Sequence, residues 1–374
     1  MTDASPHAGG ASVAATYEAA GVSIDAGEKS VELMKVWIEK ARRPEMLGGI
    51  GGFAGLFDAS ALKQMDTPLL ATSADGVGTK VAIAQAMDVH HTIGFDLVGM
   101  LVDDLVVCGA EPLFLTDYIA TGRVVPERIA AIVQGVAEAC VHAGCALVGG
   151  ETAEHPGLLQ PHEYDLAGST TGVVEAADLL GAGRVEAGDV VVAMGSSGLH
   201  SNGYSLVRHV LLGPTSAGGA GWSLDRHVDE LGRTLGEELL EPTRIYAKAC
   251  LDLTRSLGGH GTHAMSHVTG GGLAENLARV LPDDVVATVD RGTWTPQPVF
   301  DLVRRVGPVA DADLERTLNC GVGMVAVVGP EHADRAVALL SGHGLRAWVC
   351  GEVAAVPAGS GGTAALTGSH PGWS

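Results

Sequence analysis

Basic residues are scarce in this chain: 23 Lys and Arg stand against 44 Asp and Glu, a formal charge of −21 over 374 residues. That shortage argues against a nucleic-acid partner, whose phosphates need a basic face, and gives no support for docking on an anionic membrane. It leaves room for a small anionic ligand, because backbone N–H groups and a metal bind phosphate locally whatever the net charge. Cysteines are few and scattered. The six, at 108, 140, 145, 250, 320 and 350, form no C-x-x-C pair and mostly sit in apolar runs such as "LVVCGA". Zinc ligation and a disulfide framework are therefore not expected; buried free thiols in a reducing cytosol are. The opening "MTDASPHAGGASVAAT" lacks a basic segment followed by an apolar one, and no apolar run is long enough to span a bilayer. A cytoplasmic protein with no nucleic-acid and no membrane partner is expected.

What is present is a 46% hydrophobic chain whose length suits two domains. Residues 1–16 and 355–374 are small, polar and Gly/Pro-rich, which predicts flexible tails. Between them strands alternate with helices, so an α/β or α+β domain pair is expected: an N-terminal domain over 17–182 and a C-terminal one over 183–354. "TPLLATSA", "PLFLTDYIA", "CALVGG" and "DLAGSTTGVVE" read as strands. The spacings Ile93, Leu97, Leu101, Leu105 and Gly94, Val98, Val102, Val106 give a wide apolar helix face. "PERIAAIVQGVAEACVHAG" is a helix with Pro126 in its first turn and Gly144 past its end. Residues 214–240 carry the weakest pattern and read as an insertion.

Glycine is where the chemistry gathers. "MLGGIGGFAGLFD" contains a G-x-G-x-x-A match from Gly49, but a dinucleotide turn needs a buried strand before it. The charged "IEKARRPEM", broken by Pro44, is not one. A mobile surface loop and a flap closing over a polyphosphate both remain open. Ile50, Phe53, Leu56 and Phe57 favour the flap, with Gly49, Gly51 and Gly52 allowing close backbone approach.

"ATSADGVGTK" puts Asp75 at a strand end, followed by Gly76, Gly78, Thr79 and Lys80. This is not a Walker loop, yet it offers a carboxylate for Mg²⁺, backbone donors and a point charge; a hairpin turn with an exposed lysine is the alternative. "MLVDDLVVCGAEP" sets Asp103 and Asp104 inside an apolar helix, where a carboxylate needs a cation or donors. "CALVGGETAEHPG" ends a buried strand with Gly149, Gly150 and Glu151, the place where open α/β sheets collect ligands. Asp75, Asp104 and Glu151 are thus candidate ligands for one or two metals. Further on, "GSSGLHSNGYSLVR" offers Ser197, His200, Ser201 and Asn202 before a helix, and "MSHVTGGGLAENL" offers His267, Thr269, Gly270 and Gly271. Each is an anion site at a helix start or ordinary capping.

These segments in this order, together with "RRPEMLGGIGGFAGLF", "HTIGFDLVGMLVDDLVVCGAEPLFLTDY", "EPTRIYAK" and "LNCGVGM", closely resemble the phosphoribosylformylglycinamidine cyclo-ligase (AIR synthetase) family over about residues 16–353. The resemblance implies a two-domain AIR-synthetase-like fold and a homodimer whose N-terminal sheets pair into a barrel. It also implies ATP with Mg²⁺ as cofactors and formylglycinamidine ribonucleotide as substrate. The implied reaction transfers the γ-phosphoryl group to the formyl oxygen; an amidine nitrogen then closes the ring, giving aminoimidazole ribonucleotide, ADP and phosphate. Carried over, Asp75, Asp104 and Glu151 hold Mg²⁺. Gly49, Gly51, Gly52, Gly76, Gly78, Thr79, Lys80, Gly149 and Gly150 meet the nucleotide. Ser197, His200, Ser201, Asn202, His267, Thr269, Gly270 and Gly271 face the substrate. Lys80, His200 and Asn202 are the catalytic candidates, His200 as a proton shuttle with its pKa near working pH.

Departures from the family pattern are Asp103 where Asn is expected, which leaves the ligand as Asp103 or Asp104, together with Ala74 and Leu199. The alternatives are another ATP-dependent enzyme of the same superfamily, such as a small-metabolite phosphate kinase, and a non-catalytic nucleotide-binding module.

Overall fold

A computed structural model describes residues 21–49, 52–258 and 260–373. The expected tail over 1–16, and Gly51 of the glycine-rich loop, lie outside the described residues.

The N-terminal half opens with α1 (Ile24–Lys40), whose first turn is capped by the Ser23 hydroxyl accepting from the Ala26 N–H. Strands β1 (Met46–Leu47) and β2 (Leu56–Phe57) form an antiparallel hairpin that carries the glycine-rich loop. A short 3₁₀ turn over Ser60–Gln64 comes after it, so the strand–turn–helix context of a dinucleotide site is absent there. Then come β3 (Pro68–Gly76), α2 (Val81–Met87), α3 (Ile93–Val106), β4 (Glu111–Thr121), α4 (Pro126–Ala143), β5 (Ala146–Glu154) and β6 (Tyr164–Glu175). Their sheet runs β3-β6-β4-β5. Strands β4 and β5 are parallel, so they need a crossover, and α4 supplies it: Pro126 starts it and Gly144, at φ 82°, ends it. "DGVGTK" leads into α2 rather than a returning strand, which removes the hairpin reading. Helix α3 packs on β3 and β6. Along β4, Leu113, Leu115 and Ile119 are buried while Tyr118 is exposed, so one sheet face is covered and the other open.

The C-terminal half comprises β7 (Val190–Gly195), α5 (Tyr204–Leu212), β8 (His227–Val228), β9 (Arg233–Thr234), α6 (Leu235–Leu239), α7 (Ala247–Leu257), β10 (Thr262–His267), α8 (Gly272–Ala278), β11 (Val285–Asp290), α9 (Pro298–Val306), α10 (Asp311–Thr317), β12 (Val322–Val328), α11 (Ala333–Gly342), β13 (Ala347–Ala355) and β14 (Thr363–Thr367). The six-stranded sheet runs β10-β12-β7-β13-β11-β14. Every residue of β12 is buried, as expected of a strand covered on both faces. One apolar cluster is continuous through the helices of both halves, and a second lies on the far face of the larger sheet.

One expectation is corrected. Residues 355–373 are not a loose tail: β14 pairs in parallel with β11, and His370 is buried with its ring 4.8 Å from Trp294 and 4.4 Å from Trp373. Ala364 and Leu366 pack against the sheet's core, and their alternation is hidden in a Gly/Ser-rich background. Residues 214–240, weakest in sequence pattern, are well packed: a capping box between Thr234 and Glu237 starts α6, and Val228, Leu235 and Leu239 enter the main core.

Candidate functional site

Helix α3 is the wall shared by the two halves. Asp96, Met100 and Asp103 recur at i, i+4 and i+7 and so share a face, which meets the segment leading into α7. Asp96 Oδ1 accepts from Lys80 Nζ at 2.7 Å, from the Thr243 hydroxyl at 2.6 Å and from the Thr243 N–H at 3.0 Å. Both oxygens of Asp103 accept from the Tyr246 N–H, at 3.0 and 3.1 Å. Burial pushes the Asp103 carboxyl up to about 7. Met100 Sδ accepts from Asn202 Nδ2 at 3.2 Å. Asp104, at the next position, is half-exposed and accepts from His267 Nδ1 at 2.9 Å.

This geometry corrects two assignments. Lys80 is fully buried, and its three ammonium donors are taken by Asp96, by the His200 carbonyl at 3.0 Å and by the Glu241 carbonyl at 2.6 Å. It is a tie between the halves, with no donor left for a phosphate. Asp104 faces an imidazole of the second half rather than Asp75 or Glu151.

His200 sits at φ 62°, a left-handed conformation uncommon for a residue with a side chain, and it is buried. Its Nε2 accepts from the Ser197 N–H at 3.2 Å, while Nδ1 has no partner. Burial, reinforced by the charges of His267, Lys80 and Arg244, pushes its pKa well below the usual imidazole value. The expected proton shuttle with a pKa near neutrality is corrected accordingly: His200 is a neutral ring with an unused N–H. In His267 the carboxylate of Asp104 fixes the proton on Nδ1, and the buried Nε2 is left without a partner. In the turn from Thr269 to Gly272 it is carbonyls that are held, all by Asn276 Nδ2: Thr269 O at 3.3 Å, Gly270 O at 3.2 Å and Gly272 O at 2.8 Å. Gly271 has φ 99°, and a Cβ on Gly272 would lie 1.6 Å from the Glu315 carbonyl. Ser201 is buried beside His200, and the Ser197 hydroxyl donates to the Pro242 carbonyl at 2.7 Å.

A second region lies at the β5 edge. A cavity of about 690 Å³ opens beneath the glycine-rich loop, bordered by Gly49, Gly52, Asp117, Gly149, Gly150 and Glu151. The loop crosses β5 so closely that a Cβ on Gly55 would lie 2.5 Å from the Val148 carbonyl. Asp117 is the functional candidate that the sequence reading missed. Its side chain is buried, makes no hydrogen bond or ion pair among the described residues, and burial alone pushes its carboxyl up to about 7. A Cβ on Gly150 would lie 1.9 Å from Asp117 Oδ1, so the carboxylate fills the space where that side chain would be. The signal was available: Leu113, Leu115, Asp117 and Ile119 alternate along β4, which places the acid at a core-facing position.

Asp75 is far from this cavity. Register runs Asp75↔Gly168↔Asp117↔Gly150 across β3, β6, β4 and β5, so Asp75 lies three strand spacings from Gly150, about 14 Å at ~4.8 Å per strand. Its carboxylate accepts from its neighbour's N–H, Gly76, at 2.7 Å, and nearby the Thr79 hydroxyl lies 3.2 Å from that of Ser205. The expected metal set Asp75, Asp104 and Glu151 is thus divided among three places; among the described residues no group of three or more His, Cys, Asp or Glu gathers for a metal. A divalent cation with a nucleotide needs only one or two carboxylates plus phosphate oxygens. The unpaired Asp117 over Gly150 fits that lesser requirement, while Glu151, in register with the exposed Tyr118, lies on the other face of the sheet.

Comparison with known proteins sets the class and then the family. Residues 57–174 match the N-terminal domain of AIR synthase related proteins, and residues 186–362 match their C-terminal domain. The phosphoribosylformylglycinamidine cyclo-ligase of Geobacillus kaustophilus is 50% identical over 343 residues, covering 91% of this chain and 96% of its own. The chain belongs to the phosphoribosylformylglycinamidine cyclo-ligase family. Among solved structures, thiamine-monophosphate kinase from Stenotrophomonas maltophilia superposes with a TM-score of 0.63 at 19% identity, covering 90% of this chain and 96% of that one. The hydrogenase maturation protein HypE in complex with ATP gives 0.61 at 19%, covering 88% of each. At these identities the likeness is one of fold.

Proposed function

We propose that this chain converts formylglycinamidine ribonucleotide to 5-aminoimidazole ribonucleotide with consumption of ATP, as a cytoplasmic, Mg²⁺-dependent homodimer. As a member of the cyclo-ligase family it is a ligase of purine biosynthesis that forms a C–N bond. The observation that carries the reading is the 50% identity over nearly the full length of a named cyclo-ligase.

Local chemistry supports the assignment of parts. The cavity beneath the glycine-rich loop suits the nucleotide, since Gly49, Gly52, Gly149 and Gly150 let backbone approach phosphate and Asp117 is an acid lacking a counter-charge. When bound there, Mg²⁺ with ATP supplies the phosphoryl group and neutralises its charge. Asp117 is the acid that would hold the metal, with phosphate oxygens completing its shell. Along the shared wall, Asp104 fixes the His267 tautomer, which makes Nε2 an acceptor for the proton lost from the attacking amidine nitrogen. His200 offers Nδ1–H as a donor, and Asn202 bears an amide beside it. No helix among the described residues is long and apolar enough to cross a membrane. The open face of the smaller sheet, with Leu70 and Tyr118 exposed, supports pairing with a second copy.

The test is product analysis with purified protein and ATP. ADP release that depends strictly on formylglycinamidine ribonucleotide, with an aminoimidazole product, is expected. ADP release without an imidazole product would overturn the reading.

A further inference from the structure

Between α3, α4, α7 and the turn that joins α11 to β13 lies a separate cavity of about 450 Å³, with Phe95, His142, Ser197, Arg244, Lys248 and His343 in its walls. No Asp or Glu lines it, although acids outnumber Lys and Arg 44 to 23 in the chain. Arg244 makes no hydrogen bond or ion pair among the described residues. Arg233, Arg291, Arg304 and Arg305 are each held by a carboxylate. Lys248 Nζ spends one donor on the Val141 carbonyl at 2.9 Å and is otherwise exposed. His343 is paired with Asp252 at 2.8 Å, and burial together with the Lys248 charge pushes the His142 pKa down. Two uncompensated positive charges therefore face this space, one of them a guanidinium fork suited to two oxygens of one anion.

The backbone around Arg244 is rigid. Thr243 is bonded to Asp96 by its N–H and its hydroxyl, and Tyr246 is bonded to Asp103. The cavity also touches the candidate centre: the Ser197 N–H in its wall donates to His200 Nε2.

We propose that this cavity binds a phosphate dianion through Arg244 and Lys248. The 5′-phosphate of the substrate ribonucleotide is one source and the released inorganic phosphate the other; the first source rests on the function proposed above. A guanidinium on an anchored stretch of backbone, with a nearby ammonium, in an otherwise acidic molecule makes a local well for a small dianion.

The experiment compares wild type with Arg244→Met and Lys248→Met, each checked for unchanged urea unfolding. KM is measured for formylglycinamidine ribonucleotide, for its dephosphorylated ribonucleoside and for ATP, and inhibition by inorganic phosphate is measured in parallel. If the substrate phosphate occupies the cavity, Arg244→Met raises the ribonucleotide KM by about 10- to 100-fold, and Lys248→Met by less. The ribonucleoside and ATP values stay put. If released phosphate occupies it, ribonucleotide KM is unchanged and phosphate inhibition weakens by a similar factor. Both variants folded, with all of these values as in wild type, would overturn the proposal. Calorimetric titration of inorganic phosphate into wild type and Arg244→Met decides the cavity independently of turnover: binding lost in the variant supports it, and equal binding or none in either protein overturns it.

Discussion

The two regions that hold buried acids differ in how those acids are satisfied. Along α3, Asp96 and Asp103 are each met by donors of the other half, and the carboxylates act as mortar between two sheets. At the β5 edge Asp117 is also buried and meets no donor. A buried carboxylate without a partner is destabilising, and it persists where something outside the chain completes it. The difference separates two acids tied across the halves from one that meets no donor among the described residues.

The largest effect is expected from breaking the built side. Lys80→Met leaves Asp96 buried beside its remaining donors, and loss of about 3–5 kcal/mol in urea unfolding at pH 7 is expected. A loss below about 1 kcal/mol would show that Lys80 is no tie.

Next comes Asp117→Asn, with the opposite sign. The folded carboxyl titrates at about 7, while an unfolded Asp titrates near ~3.9. Between those values the folded state holds the extra proton, so stability falls as pH rises from about 4 to 7. The Asn variant should lose that fall and gain roughly 2–4 kcal/mol at pH 7 while raising the KM for ATP. A pH–stability profile identical to wild type would return Asp117 to the satisfied acids.

The smallest stability change belongs to Asp104→Asn, because the Asp104 carboxylate is half-exposed and Asn keeps an oxygen for His267 Nδ1: under about 1 kcal/mol. Here kcat should fall by about tenfold or more with the KM for ATP unchanged. A raised KM for ATP with kcat intact would restore Asp104 to the nucleotide site.

The alternation of helix and strand periods made β3, β4, β5, β6, α3 and α4 legible, since each is long enough to show one face. Strand β14 was not, because two apolar residues, Ala364 and Leu366, are set among Gly, Ser and Thr. The glycines at 49, 52, 149 and 150 border one cavity, and Gly150 lacks a side chain where a carboxylate takes its space. The acids were harder. An Asp in an apolar helix signals a cation or donors without saying which, and Thr243, which donates twice to Asp96, lies 147 residues away. Asp117 was overlooked because a single acid in "PLFLTDYIA" looks like a solvent-facing residue until the two-residue period is counted from Leu113. Lys80 misled for a related reason: a lysine after glycines suggests phosphate, and only the surrounding carbonyls show that its charge is already spent.

The closing residues carry a practical lesson for anyone handling this protein. Strand β14 covers the rim of β11, and the Trp294–His370–Trp373 stack clamps the last residues in place. Trimming the chain after Pro357 on the strength of its composition would bare a row of hydrogen-bonding groups at that rim, an invitation to edge-to-edge aggregation.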